Sequence, residues 1–294
     1  MTRLTVLRVG PGTTTQDLGR PGFSDAGLGA AGAADRASAA LADRMVGNRP
    51  EAAVLEALLG SVTLRTDAHV VTATAGAPSP VEVESADGRV RGGAAYEVLA
   101  LAPGDTLRLG VPTSGLRTYL AVRGGFAVDP VLGSRSWDSL ARLGPPPLTV
   151  GDVLPVGDAA DTWPVVDAVP PPLPVAPDVP VVLDAVPGPR DDWFTADWRA
   201  ALTEQVHRVT PDSDRVGVRT TAPHALVRTV TRELPSEGVE TGSLQVPPDG
   251  HPVLFLADHP VTGGYPVVAV LTPASVDRAA QLRPGDAVRF RLVD

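Results

Sequence analysis

Cysteine is absent from the 294 residues. That removes disulfide frameworks and thiolate nucleophiles from consideration. Histidine is scarce, with five residues at positions 69, 207, 224, 251 and 259 and no HExxH or comparable spacing among them. No metal centre is therefore expected. Runs of about 18 apolar residues, the length of a membrane span, do not occur. The first residues, MTRLTVLRVG, alternate like a strand instead of forming the apolar region of a signal peptide. Basic residues are the minority, 25 against 34 acidic for a formal charge of -9. This argues against a nucleic-acid footprint and a polybasic membrane patch. The expectation is a cytoplasmic protein with neither nucleic acid nor membrane as partner.

Turn-forming residues are plentiful: 30 Gly and 31 Pro, set among polar-apolar alternations, describe a β-rich chain. The length suits one large domain or two ordinary ones and can bury a core without staples. The clearest composition shift is DAADTWPVVDAVPPPLPVAPDVP, which reads as an extended, semi-rigid connection. The expected division is a domain over 1–160, a Pro-rich linker over 161–180 and a second domain over 181–294, with interleaving left open.

Residues 2–9 alternate as a first strand, and Gly10–Asp35 is too rich in small residues for a regular element. Gln16, Asp17 and Arg20 sit close together in that loop. They either reach a substrate or, for Asp17 and Arg20, pair to pin the loop. Asp35 is placed to cap a helix that Gly47 and Asn48 end. Pro50–Gly60, PEAAVLEALLG, reads as a second helical or loop-like stretch; Glu56 among its leucines is a surface residue or an acceptor for the 10–36 loop. From Ser61 the period becomes two. Gly-Asp turns recur at 104–105, 151–152 and 285–286, a repeated hairpin device and not three active sites. GSRSWDSLARLG at 133–144 predicts a short capped helix, with Ser134, Arg135, Ser136 and Asp138 as its polar groups. Trp193, Phe194 and Trp198 are assigned to packing.

The stretch Gly238–Pro266 looks least like scaffold. Its apolar run Pro252–Ala257 predicts a buried strand that ends in Asp258 and His259, followed by Thr262, Gly263, Gly264 and Tyr265. Glycines here permit backbone angles and close approaches that a Cβ opposes, and successive amides can cradle an anion. A tight hairpin with Asp258 capping amides is the competing reading. Familiar catalytic signatures are missing: there is no GxSxG, no GxxxxGK[ST] and no GxGxxG in a βαβ setting.

Three phrases nevertheless occur in one order along nearly the whole chain. Gly12–Arg20, with Gly22, Gly27, Gly32–Asp35, Val46–Asn48, Leu55 and Glu56, is similar to "G..TTVQDLGR.G....G...SGAMD....R.AN.LVGN....A.LE.T..G". Ala121–Gly125, Val128 and Val131–Ser136 are similar to "AVRGG..V..VLGSRST". Glu237–Val239, Gly242–Pro247, Gly250, Pro252, Leu254, Ala257, Asp258 and Thr262–Pro266 are similar to "EGV..GSIQVP..G.PI.L.AD..TTGGYP". The chain thus resembles the biotin-dependent carboxyltransferase family, which includes the C-type subunit of 5-oxoprolinase, the carboxyltransferase region of urea amidolyase and the kinase-inhibitor antagonists.

The resemblance implies a mainly β protein with two cyclophilin-like β-barrel domains facing across a cleft and a few short helices. It implies B-like and A-like partner subunits, a lactam or amide substrate, and ATP, bound by or shared with those partners, with no integral biotin. The implied activity is ATP-dependent opening of 5-oxo-L-proline to L-glutamate; the alternatives are a regulatory antagonist of a B-like kinase inhibitor or a urea/amide carboxyltransferase component. Under it Asp17, Asp258 and Arg123 become candidate catalytic groups. Gln16, Arg20, Asp35, Asn48 and Arg135 become candidate substrate or anion ligands, together with Gln245, Thr262, Gly263, Gly264 and Tyr265. The chain departs from the pattern at Trp137, at Gly144–Leu148 and at Arg215–Thr220, which bears on the substrate.

Overall fold

Two strands of the N-terminal half, Val54–Leu58 and Arg117–Val122, are buried on both faces, and the fold explains why. The structure is a computed structural model that describes residues 2–172 and 179–294. Strands Thr14–Gln16, Val54–Leu58, Arg117–Val122, Val70–Gly76 and Val98–Leu101 form a five-stranded antiparallel sheet in that order. On one face Leu55, Ala57, Leu120 and Val122 meet Leu4, Val6, Leu64, Val83 and Leu107. These latter residues belong to a six-stranded sheet ordered Val153–Pro155, Arg3–Arg8, Thr63–Thr66, Thr106–Leu109, Val81–Glu84 and Val90–Gly93. On its other face Val54, Ala73, Ala75, Tyr119 and Ala121 pack against Ala39, Ala42 and Met45 of helix α1, Arg36–Met45. A sheet covered on both sides needs continuous apolar strands. Burying each large side chain contributes about 1.5–3 kcal/mol.

This architecture corrects two expectations. Pro50–Gly60 is not helical: Val54–Leu58 is a strand, its period of two hidden because both faces are covered. The expectation of two barrels fails as well, because neither N-terminal sheet closes. Their strands divide into two sheets, one of them sandwiched between the other sheet and a helix, and that layering is incompatible with a single sheet curling onto itself.

One closed barrel is present, in the C-terminal half. Its seven strands run Val181–Pro187, Val267–Leu271, Ser243–Gln245, Val253–Phe255, Gly217–Thr221, His207–Val209 and Ala287–Leu292. It closes through a parallel pairing of the first with the last, Leu183 opposite Phe290. Helices α2, Trp198–Thr203, and α3, Pro273–Ala279, accompany it. Trp193, Phe194, Trp198 and Leu202 are buried, in keeping with their assignment to packing. Thr262–Gly263 pairs separately with Glu237–Gly238 in a short ribbon.

The chain forms two compact units. The first comprises Met1–Arg20, Ala31–Asp138 and Arg142–Leu173, and the second Pro21–Ala30, Ser139–Ala141 and Pro174–Asp294. The centre of the expected Pro-rich linker, 173–178, lies outside the described residues. Among the described residues no helix is long and apolar enough to cross a membrane.

Candidate functional site

In the first unit the strand Thr14–Gln16 delivers the chain to Asp17, whose carboxylate organises the loop. Oδ1 accepts from the Gly19 amide at 2.8 Å and from the hydroxyls of Ser134 and Ser136, each at 2.6 Å. Oδ2 accepts from the Arg135 amide at 2.6 Å. The expected helix at 133–144 is absent for the same reason. Ser134 and Ser136 spend their hydroxyls on Asp17, and such local bonds compete with helical ones. Isolated bridges, Val131 with Ser134 and Asp138 with Leu143, hold the segment instead.

Arg20 does not pair with Asp17. It is 2% exposed and its Nη2 donates to the Ser136 carbonyl, while Nε and Nη1 are buried without a partner among the described residues. Gln16 is similar: Nε2 donates to Thr14 Oγ1 at 2.9 Å and to the Trp137 carbonyl at 3.1 Å, while its buried Oε1 has no partner among the described residues. Uncompensated buried polar groups are costly. The structure therefore brings Gln16, Asp17, Arg20 and the 134–137 segment together.

The other predicted residues of this unit serve its framework. Asp35 caps α1 by accepting from the Ser38 amide at 2.9 Å. Its own amide donates to the Tyr119 hydroxyl, which donates in turn to Glu56 Oε2 at 2.8 Å. Glu56 also accepts from the Ala34 amide at 3.0 Å and faces Arg117 at 3.3 Å, both side chains being 3% exposed. It is the acceptor for the N-terminal loop. Burial, reinforced by Glu56 and Asp35, pushes the Tyr119 phenol well above its ordinary range. Asn48 donates to Asp43 at 2.8 Å and to the Val122 carbonyl at 2.9 Å, and accepts from the Gly124 amide at 2.7 Å. Arg123 donates to the carbonyls of Val46, at 3.0 Å, and Thr162, and lies 4.1 Å from the centre of the Trp163 ring. It neutralises the carbonyl end of α1.

In the second unit Asp258 follows the strand Val253–Phe255 and is 1% exposed. Arg215 grips it with both arms, Nε to Oδ2 at 2.8 Å and Nη2 to Oδ1 at 3.0 Å. Ser139 adds its amide at 2.9 Å and its hydroxyl at 2.6 Å. Sequence reasoning did not single out Arg215 or Ser139 as site residues. The departure noted at 215–220 was the available signal for Arg215.

Downstream, Thr262, Gly264 and Tyr265 are exposed, Tyr265 at 43%. Neither glycine has a left-handed backbone. What requires glycine at 263 is the side chain of Gln245, whose Nε2 occupies the space of a Cβ while donating to the Tyr265 carbonyl at 3.0 Å. At 264 a Cβ meets only the Leu234 carbonyl, at 3.7 Å, so the fold does not demand glycine there. Among the described residues the amides of Gly264 and Tyr265 make no main-chain hydrogen bond outside the strand ladder. Arg228 lies 5.7 Å from the Tyr265 ring. This edge joins Gln245 and the Thr262–Tyr265 residues, and Asp258 is anchored separately.

A family model described as carboxyltransferase domain, subdomain A and B, matches residues 26–292. The chain is 33% identical over 295 residues to the C-type subunit of Escherichia coli 5-oxoprolinase, covering 98% of this chain and 90% of that protein. Among solved structures, TTHA0988 superposes with a TM-score of 0.84 at 33% identity, over 99% of this chain and 55% of that one. The urea amidolyase of K. lactis gives a TM-score of 0.90 at 26% identity, over 99% of this chain and 19% of that one. The chain thus spans about half of the first solved relative and a fifth of the second.

Proposed function

The chain belongs to the carboxyltransferase-domain family, subdomains A and B, and on that premise we propose that it is the C-type subunit of an ATP-dependent 5-oxoprolinase. The correspondence along nearly the whole chain to its E. coli counterpart supports this reading. The structural observation that carries it is the Thr262–Tyr265 edge, where two exposed residues whose amides have no main-chain partner among the described residues include a glycine that the packing does not need.

A lactam carbonyl is a poor electrophile. Transfer of a phosphoryl group from ATP, held by partner subunits, to the lactam oxygen makes its carbon open to water. Water then adds at that carbon, the ring C–N bond breaks with the nitrogen leaving as the glutamate amine, and phosphate departs on hydrolysis. The Gly264 and Tyr265 amides face the oxygen that gains charge, where fixed donors lower the barrier most. Asp258, gripped by Arg215 and Ser139, acts from its buried position as the anchor of the strand end that leads into this edge.

Biotin chemistry makes a separate demand. Biotin is carried on a lysine amine, and all 25 basic residues of this chain are arginine. Any biotin must be carried outside these 294 residues. Carboxyl transfer to an amide is the second reading, favoured by the fit to K. lactis urea amidolyase.

The test is glutamate release from 5-oxoproline and ATP by this chain combined with A-like and B-like partners, omitting each in turn. Loss of turnover without this chain is expected. An assembled complex that releases no glutamate but carboxylates urea with a biotin carrier present overturns the assignment in favour of the second reading.

A further inference from the structure

A cavity of about 100 Å³ lies within the first unit, lined by Arg135 of the 134–137 segment. Its walls are main chain knitted together from three segments. The Arg49 amide donates to the Ala159 carbonyl at 2.8 Å, the Ala159 amide to Gly124 at 2.9 Å, and the Phe126 amide to Ala53 at 3.0 Å. Gly125, left-handed at φ 72°, lets the walls close: a Cβ there comes 3.1 Å from that of Ala52. Such a cavity is pre-formed and keeps its shape without a ligand.

Its lining includes Arg135 and Arg49, with Glu51 and the exposed Asp158 beside them. Arg49 is already paired, through Nε, with Glu51 at 2.9 Å. Arg135 is held at its base, its amide on Asp17 and its Nε on the Val128 carbonyl at 2.9 Å. It has no ion pair among the described residues, and its two terminal nitrogens have no hydrogen-bond partner there. A guanidinium positioned at its root with its end unspent is suited to paired, parallel N–H bonds to a planar oxyanion. The Ala and Phe126 walls leave space for a group of a few heavy atoms.

We propose that this cavity binds a planar oxyanion, a carboxylate or bicarbonate, through Arg135. The site does not depend on the lactam-opening assignment. The experiment is calorimetric titration of the full chain with sodium acetate and, separately, sodium bicarbonate, at ionic strength held constant with chloride. Saturable binding of at least one is expected. Arg135→Gln keeps the main-chain amide that Asp17 uses, so the fold is retained, and it should weaken binding by at least roughly tenfold. Ala159→Leu fills the cavity without altering charge and should do the same; Ala52→Val replaces it if thermal melting shows misfolding. Arg89→Gln, at an exposed salt bridge, should change nothing. The proposal is overturned if neither probe binds, if Arg135→Gln or the filled cavity binds as well as wild type, or if Arg89→Gln weakens binding equally.

Discussion

Asp43 and His207 are buried groups whose titration pulls stability in opposite directions. Burial raises the Asp43 carboxyl to about 7, against the opposing bond from Asn48. Between its ordinary value near 4 and about 7, the native chain holds a proton that the unfolded chain has lost, so this contribution falls as pH rises. The shift corresponds to up to roughly 4 kcal/mol. Burial lowers the pKa of His207, helped by His251 and opposed by its bond to the Leu202 carbonyl. Its contribution is complete above the unfolded value near 6.5 and is lost as pH falls below it. Denaturant unfolding across pH 4–8 should therefore lose its alkaline decline in Asp43→Asn and its acidic decline in His207→Gln. Glu56 carries a different cost. Glu56→Gln leaves Arg117 as a buried charge and should destabilise the chain by about 3–5 kcal/mol in chemical denaturation, with the secondary structure retained. The sequence placed Glu56 between surface and core; its partners Ala34, Arg117 and Tyr119 lie 22 to 63 residues away, so no local pattern could decide.

At the scale of elements, what was legible followed local rules. Asp35 caps α1, and all three Gly-Asp turns have a left-handed glycine at 104, 151 and 285. Each turn also uses its aspartate alike: Asp105 accepts from the Ala102 amide at 2.9 Å, Asp152 from Thr149 at 2.7 Å and Asp286 from Arg283 at 2.8 Å. Replacing any one of the three by Ala should cost about 1 kcal/mol. Equal, additive losses in thermal melts are expected for the double and triple variants, because these are separate copies of one turn. What was illegible depended on distant partners. The strand Val54–Leu58 looked helical because the second layer covering it is α1, and the 133–144 segment looked helical because its serines gave no sign of their distant partner Asp17. Arg215 went unassigned because Asp258 lies 43 residues away.

At the scale of the whole molecule, one barrel stands among the described residues where two were expected. Strand alternation could be read residue by residue, whereas closure depends on which edges meet. The second unit also draws on two distant segments, Pro21–Ala30 and Ser139–Ala141. A fragment of residues 181–294 lacks both, including the two bonds from Ser139 to Asp258. It should melt at a lower temperature than the barrel transition of the full chain; an unchanged melt would show that those segments contribute no stability.

The Thr262–Tyr265 edge is taken to serve a ligand and not the fold, and Gly264→Val separates these roles. The backbone at 264 is not left-handed and the space beside it is open, so the added side chain should leave the melting temperature unchanged. In the assembled complex it obstructs the approach to the Gly264 and Tyr265 amides. The measurement is kcat/KM for ATP-dependent glutamate release from 5-oxoproline. A fall of at least roughly a hundredfold in a fully folded variant is the expected result, the scale of losing an oxyanion donor. Wild-type kcat/KM in Gly264→Val would contradict the account.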